Sequence, residues 1–102
     1  MDKHQLKQAV CQAIDNRAAE IRDIKNDIWA HPELGYKETR TADKVAEVFD
    51  GLGLPYKTGL AVTGVRADLK GAADGPTVAV LGELDAVVCW DHESADKKTG
   101  AV

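Results

Sequence analysis

The chain has 102 residues, 44% of them hydrophobic and 29% charged, the composition of a soluble globular protein with room for one modest core. A net charge of −4, with no cluster of Lys or Arg, argues against nucleic acid or an anionic membrane surface as a partner. Two cysteines, Cys11 and Cys89, are too few for a disulfide framework, and no run reaches signal-peptide or membrane-spanning character, so a reducing cytoplasm is the expected location.

From Leu6 to Trp29 the apolar residues Leu6, Val10, Ala13, Ile14, Ala18, Ile21, Ile24 and Ile28 recur in steps of three and four, which predicts one amphipathic helix. Pro32 ends it and leaves His31 in or just beyond the last turn, where a cationic ring suits the helix dipole. The link HPELGYK is too tight for a domain boundary. A second helix is predicted over about Glu38 to Leu52, with Ala42, Val45, Ala46, Phe49 and Leu52 inward and Gly51 or Gly53 as its cap.

The alternation of Val65, Ala67 and Leu69 with Arg66 and Asp68 predicts a half-buried strand within AVTGVRADLKG. After the turn GAADGP, the run TVAVLGEL has no alternation and reads as a central strand covered on both faces. Beyond Val88 the polar tail CWDHESADKKTGAV has no period. The order is helix, helix, strand, strand, tail: an α/β chain whose apolar strand has too few neighbours among these residues.

Glu83 and Asp85 stand two apart at the carboxyl end of that strand. Period two puts both on one face, at the end where open α/β sheets hold ligands. Such a pair suits a divalent cation, a metal-bound histidine that needs orienting, or a general acid/base; alternatively the strand stops at Gly82 and both acids are solvated. Cys89 and His92 have C-x-x-H spacing, but no further ligands are evident, which favours an incidental thiol and a surface histidine. Trp90 beside them reads as packing. His31 and Glu33 in HPELGY read as a helix stop and turn rather than a catalytic pair.

Taken in order, IWAHPELGYKETRTADKVAEVFDGLGL, TGVRADLKG and GPTVAVLGELDAV resemble the opening of the zinc-dependent amidohydrolase and peptidase family. That family includes aminoacylases, hippurate hydrolases and indole-acetyl-amino-acid hydrolases, and the likeness is greatest to its aminobenzoyl-glutamate hydrolase branch. The resemblance implies that residues 1–102 are the N-terminal portion of a catalytic domain, a three-layer α/β sandwich with a mixed sheet. It matches Asp85 to the aspartate that orients a metal-binding histidine, and puts Glu83 where other branches carry that histidine. The first metal ligands of the branch come from a His-Ala-Cys-Gly-His motif that follows a stretch like DKKTGAV, so this chain alone is expected to bind no metal and to be inactive.

For the parent protein the resemblance implies zinc or manganese and a small N-acyl or aminobenzoyl amino acid as substrate. Asp85 and Glu83 are then the candidate catalytic-site residues, with no metal ligand assigned on this chain. The competing reading is a short non-enzymatic α/β module that binds a partner or forms homo-oligomers through unpaired strand edges. A metal-binding module built on Cys89 and His92 is a third.

Overall fold

Asp2 opens the first helix: its carboxylate accepts the Gln5 N–H at 2.8 Å, while the Gln5 side chain accepts the Asp2 N–H at 2.9 Å. This capping box satisfies two donors that the first turn would otherwise leave to water. The computed structural model describes residues 1–102, and helix α1 runs from Lys3 to Asn16. The single predicted helix is in fact two. Arg17 leaves helical geometry at φ −107°, ψ 10°, and α2 resumes over Ala18–Ala30. Asp15 and Asn16, poor helix formers, sit at the break, and the Arg17 guanidinium is held by Glu20 at 3.0 Å. At the far end His31 caps α2, with its Nδ1 2.8 Å from the Asp27 carbonyl oxygen.

The chain divides into two compact units, Met1–His31 and Pro32–Val102. The division falls inside HPELGYK, the link expected to be too tight for a boundary. No residue of α1 or α2 is fully buried. Much of the predicted stripe, including Leu6, Val10, Ile14 and Ile21, is exposed, while Ala18, Ile24 and Ile28 are half-buried.

In the second unit, α3 covers Thr39–Gly51, within one residue of expectation at each end. It closes in a Schellman motif: Leu54 N–H donates to the Phe49 carbonyl and Gly53 N–H to that of Asp50, each at 3.0 Å, with Gly53 at φ +67°. The chain then turns into an antiparallel hairpin, β1 (Tyr56–Leu60) and β2 (Gly64–Ala67), against which α3 packs. Phe49 and Tyr56 meet with ring centroids 6.1 Å apart, and the Tyr56 hydroxyl donates to Asp50 at 2.9 Å.

Strand β1 was not foreseen because YKTGL carries no apolar alternation. The alternation in β2 holds from Val65 to Asp68 and fails at Leu69, which is exposed. The hairpin tip is strained. Ala61 (φ 46°) and Val62 (φ 80°) both occupy left-handed backbone, which costs an L residue about 1–2 kcal/mol and is least suited to a β-branched side chain. Val62→Gly is therefore expected to stabilise the hairpin by about 1 kcal/mol, read as a higher midpoint in thermal unfolding.

The largest departure concerns residues 77–84. No strand forms there, and Val78, Val80 and Leu81 are 84%, 95% and 88% exposed. A strand exists only through hydrogen bonds to a neighbour, and nothing among these residues pairs with this run. The two-stranded sheet is β1–β2 alone, so the structure has three helices and two antiparallel strands. The tail is no irregular end: residues 87–102 close on themselves. Val87 and Val102 exchange N–H···O bonds of 3.0 and 3.1 Å, Cys89 N–H donates to Gly100, and Ala101 is fully buried. Gly100 is required there, since at φ +71° a Cβ would lie 2.7 Å from the Trp90 ring.

Candidate functional site

The HPELG turn organises the second unit through two carboxylates. Glu33 reaches forward to the start of α3. Its side chain accepts the Thr41 N–H at 2.6 Å, the Thr41 hydroxyl at 2.7 Å, the Arg40 N–H at 3.1 Å and, more weakly, the Thr39 hydroxyl at 3.5 Å. Helix α3 has no cap from its own Glu38, so this distant carboxylate serves the N–H groups that a helix start leaves open. Burial by itself pushes the Glu33 carboxyl up, but the donors from Thr41, Arg40 and Thr39 together outweigh it and hold the group below its ordinary 4.5.

Glu38, only 6% exposed, joins the turn to the hairpin. It accepts the Thr63 hydroxyl at 2.6 Å and the N–H of Tyr36, which stands at φ 62°, at 2.9 Å. The Thr63 hydroxyl is the main influence that lowers the Glu38 carboxyl below 4.5, helped by backbone N–H groups.

The segment carrying Asp85 attaches to this frame. The Glu33 carbonyl oxygen accepts the Ala86 N–H at 2.7 Å, and a single parallel bridge pairs Leu34 with Ala86. Leu84 and Ala86 are half-buried, whereas Asp85 between them is exposed. Asp85 lines an open concavity of about 360 Å³ together with Gly35, Tyr36, Glu38, Leu60 and Thr63. Glu83 is exposed and is not among the lining residues. The two carboxylates paired by the period-two argument are thus not brought together in this site, because the strand that would align them does not form.

After Asp85 in the chain, the 87–102 loop is held by Asp96. Its carboxylate accepts the Lys98 and Thr99 N–H groups, each at 2.9 Å, and the Thr99 hydroxyl at 3.0 Å, which lowers its pKa, Thr99 N–H contributing most. His92 Nδ1 accepts the Ser94 N–H at 3.1 Å, and both Cys11 and Cys89 are exposed free thiols. No three His, Cys, Asp or Glu side chains converge on a point that could hold a metal ion.

The chain is 31% identical over 88 residues to YhaA of Bacillus subtilis, assigned to the amidohydrolases; the match takes in 86% of this chain and 22% of YhaA. It is 38% identical over 76 residues to IAA-amino acid hydrolase ILR1-like 5 of Arabidopsis thaliana, 70% of this chain and 17% of that one. Thermostable carboxypeptidase 1 of Saccharolobus solfataricus is 35% identical over 93 residues, covering 86% and 24%.

The homologues of this chain are amidohydrolases and peptidases. Between 17% and 24% of each of these curated relatives is spanned by the match. No family model matches the chain, and no solved structure does. Sequence reasoning put Asp85 forward, and the structure places it on the concavity; it read Glu33 as part of a helix stop and did not anticipate Glu38 or the threonines that these carboxylates hold. Their partners lie eight and 25 residues away, beyond any local spacing rule. The one available signal was a helix start with no favourable cap of its own.

Proposed function

We propose that this chain is the N-terminal portion of a catalytic domain of the zinc-dependent amidohydrolase and peptidase family. The protein that carries it would then hydrolyse the amide bond of an N-acyl or aminobenzoyl amino acid. The observation behind the proposal is the match of 86% of the chain to an amidohydrolase. An amino-acid conjugate hydrolase and a carboxypeptidase among the relatives suggest amide hydrolysis beside an amino-acid group as the common chemistry.

In this reading the exposed run 77–81 is a strand of a larger mixed sheet in a three-layer sandwich, and its exposure supports that assignment. Asp85 orients a metal-binding histidine, and Glu83 shapes the charge of the pocket. The residues of this chain do not themselves fit a zinc or manganese site, having no converging donor set. No helix is long and apolar enough to cross a membrane; a cytoplasmic location is part of the proposal.

The test compares the 102-residue chain with the complete product of its gene, each supplied with zinc or manganese, on hippurate and aminobenzoyl-glutamate. The chain is expected to release no product above buffer, and the complete gene product to cleave at least one substrate. Turnover by the chain alone, or none by the complete product, would overturn the proposal.

A further inference from the structure

We infer that Glu33 is the positioning residue for Asp85, an inference that rests on the reading of Asp85 as part of the reaction site. Glu33 uses its two polar groups on two different elements. Its carboxylate takes up donors from Thr39, Arg40 and Thr41 at the start of α3, while its carbonyl oxygen takes the N–H of Ala86 at 2.7 Å, next to Asp85.

Asp85 has little else to hold its backbone. The run before it, residues 71–82, is exposed throughout and forms no helix or strand, and the loop after it closes on itself through Val87 and Val102. Residues 84–86 attach to the α3 frame through the Leu34–Ala86 bridge, which contains the hydrogen bond from Ala86 N–H to the Glu33 carbonyl, and through the half-buried side chains of Leu84 and Ala86. Gly35 and Tyr36, which directly follow this attachment, line the same concavity as Asp85. The Glu33 carboxylate takes four donors, the Thr39 hydroxyl being the weakest, and these charge-assisted bonds restrain the side chain and, through it, the backbone of residue 33. The start of α3 thereby sets where the Asp85 carboxylate stands against Tyr36, Glu38 and Thr63.

A merely stabilising Glu33 would weaken the whole second unit evenly; a positioning Glu33 acts on Ala86 first. Amide exchange of the 102-residue chain, followed by NMR, separates the two. In Glu33→Gln the Ala86 amide is expected to exchange about tenfold faster relative to the Cys89 and Val102 amides, which are bound within the 87–102 loop. Thr41→Val removes one hydroxyl donor, keeps the Glu33 charge, and is expected to produce the same ordering with a smaller change. It serves as the deciding variant if Glu33→Gln does not fold. Equal acceleration of all three amides, or none at Ala86, overturns the inference. In the complete gene product Glu33→Gln is expected to lower kcat with KM within about twofold, in keeping with a misplaced group rather than a lost binding contact. Failure of the amidohydrolase reading shows separately, as absence of hydrolysis by the unsubstituted protein.

Discussion

Asp85→Asn in the complete gene product is expected to lower kcat about 10- to 100-fold, with KM little changed. The substitution keeps size and one carbonyl acceptor but removes the negative charge. A histidine held by a carboxylate gains basicity and a fixed ring orientation; an amide supplies neither in full. Asp85 is exposed at the edge of the concavity while its neighbours Leu84 and Ala86 carry the packing, so the fold has no stake in its charge. Thermal stability is therefore expected to stay within about 0.5 kcal/mol of the unsubstituted protein. Turnover measured on an N-acyl amino acid, beside a melting curve, checks both parts. Near-normal turnover would remove Asp85 from the chemistry, and a large fall in melting temperature would make its role structural.

Glu33→Ala carries the largest expected loss of stability. It strips the start of α3 of a charged acceptor that serves two N–H groups and two hydroxyls. Partial exposure lets water replace some of these bonds, so the cost is about 2 kcal/mol, or roughly 8–16 °C in melting temperature for a domain of this size. The pH dependence follows from the direction of the shift. A carboxyl held below 4.5 when folded contributes stability that is complete above that value and lost as pH falls through the folded pKa. Glu38 and Asp96 are shifted the same way and share the acid loss. Unfolding followed by circular dichroism from about pH 7 to about pH 3 should show a smaller acid dependence in Glu33→Ala than in the unsubstituted chain. Parallel curves would mean that Glu33 gives α3 nothing that depends on its charge.

The legible parts of this chain were those set by neighbours in sequence. Helix α3 was readable from Ala42, Val45, Ala46 and Phe49 and from the glycines after it, because helical hydrogen bonds and the Schellman cap close within a few residues. Pro32 ended α2 as expected for the same local reason. The break at Arg17 was hidden, since an apolar stripe keeps its spacing across one non-helical residue. TVAVL carried the strongest strand signal in the chain and formed no strand. Apolar patterning reports what a segment would bury, whereas pairing depends on a neighbour that the pattern does not contain.

The sequence by itself determined which stretches are helical, apart from the break at Arg17, together with the alternation in β2 and the candidacy of Asp85. Only the tertiary structure decided what holds that residue in place. Glu33 meets Thr41 eight positions on, Glu38 meets Thr63 at a separation of 25, and Leu34 bridges to Ala86. A carboxylate's choice of donors depends on which backbone N–H groups the fold leaves open beside it. That is a property of chain geometry, and no spacing rule along the chain encodes it.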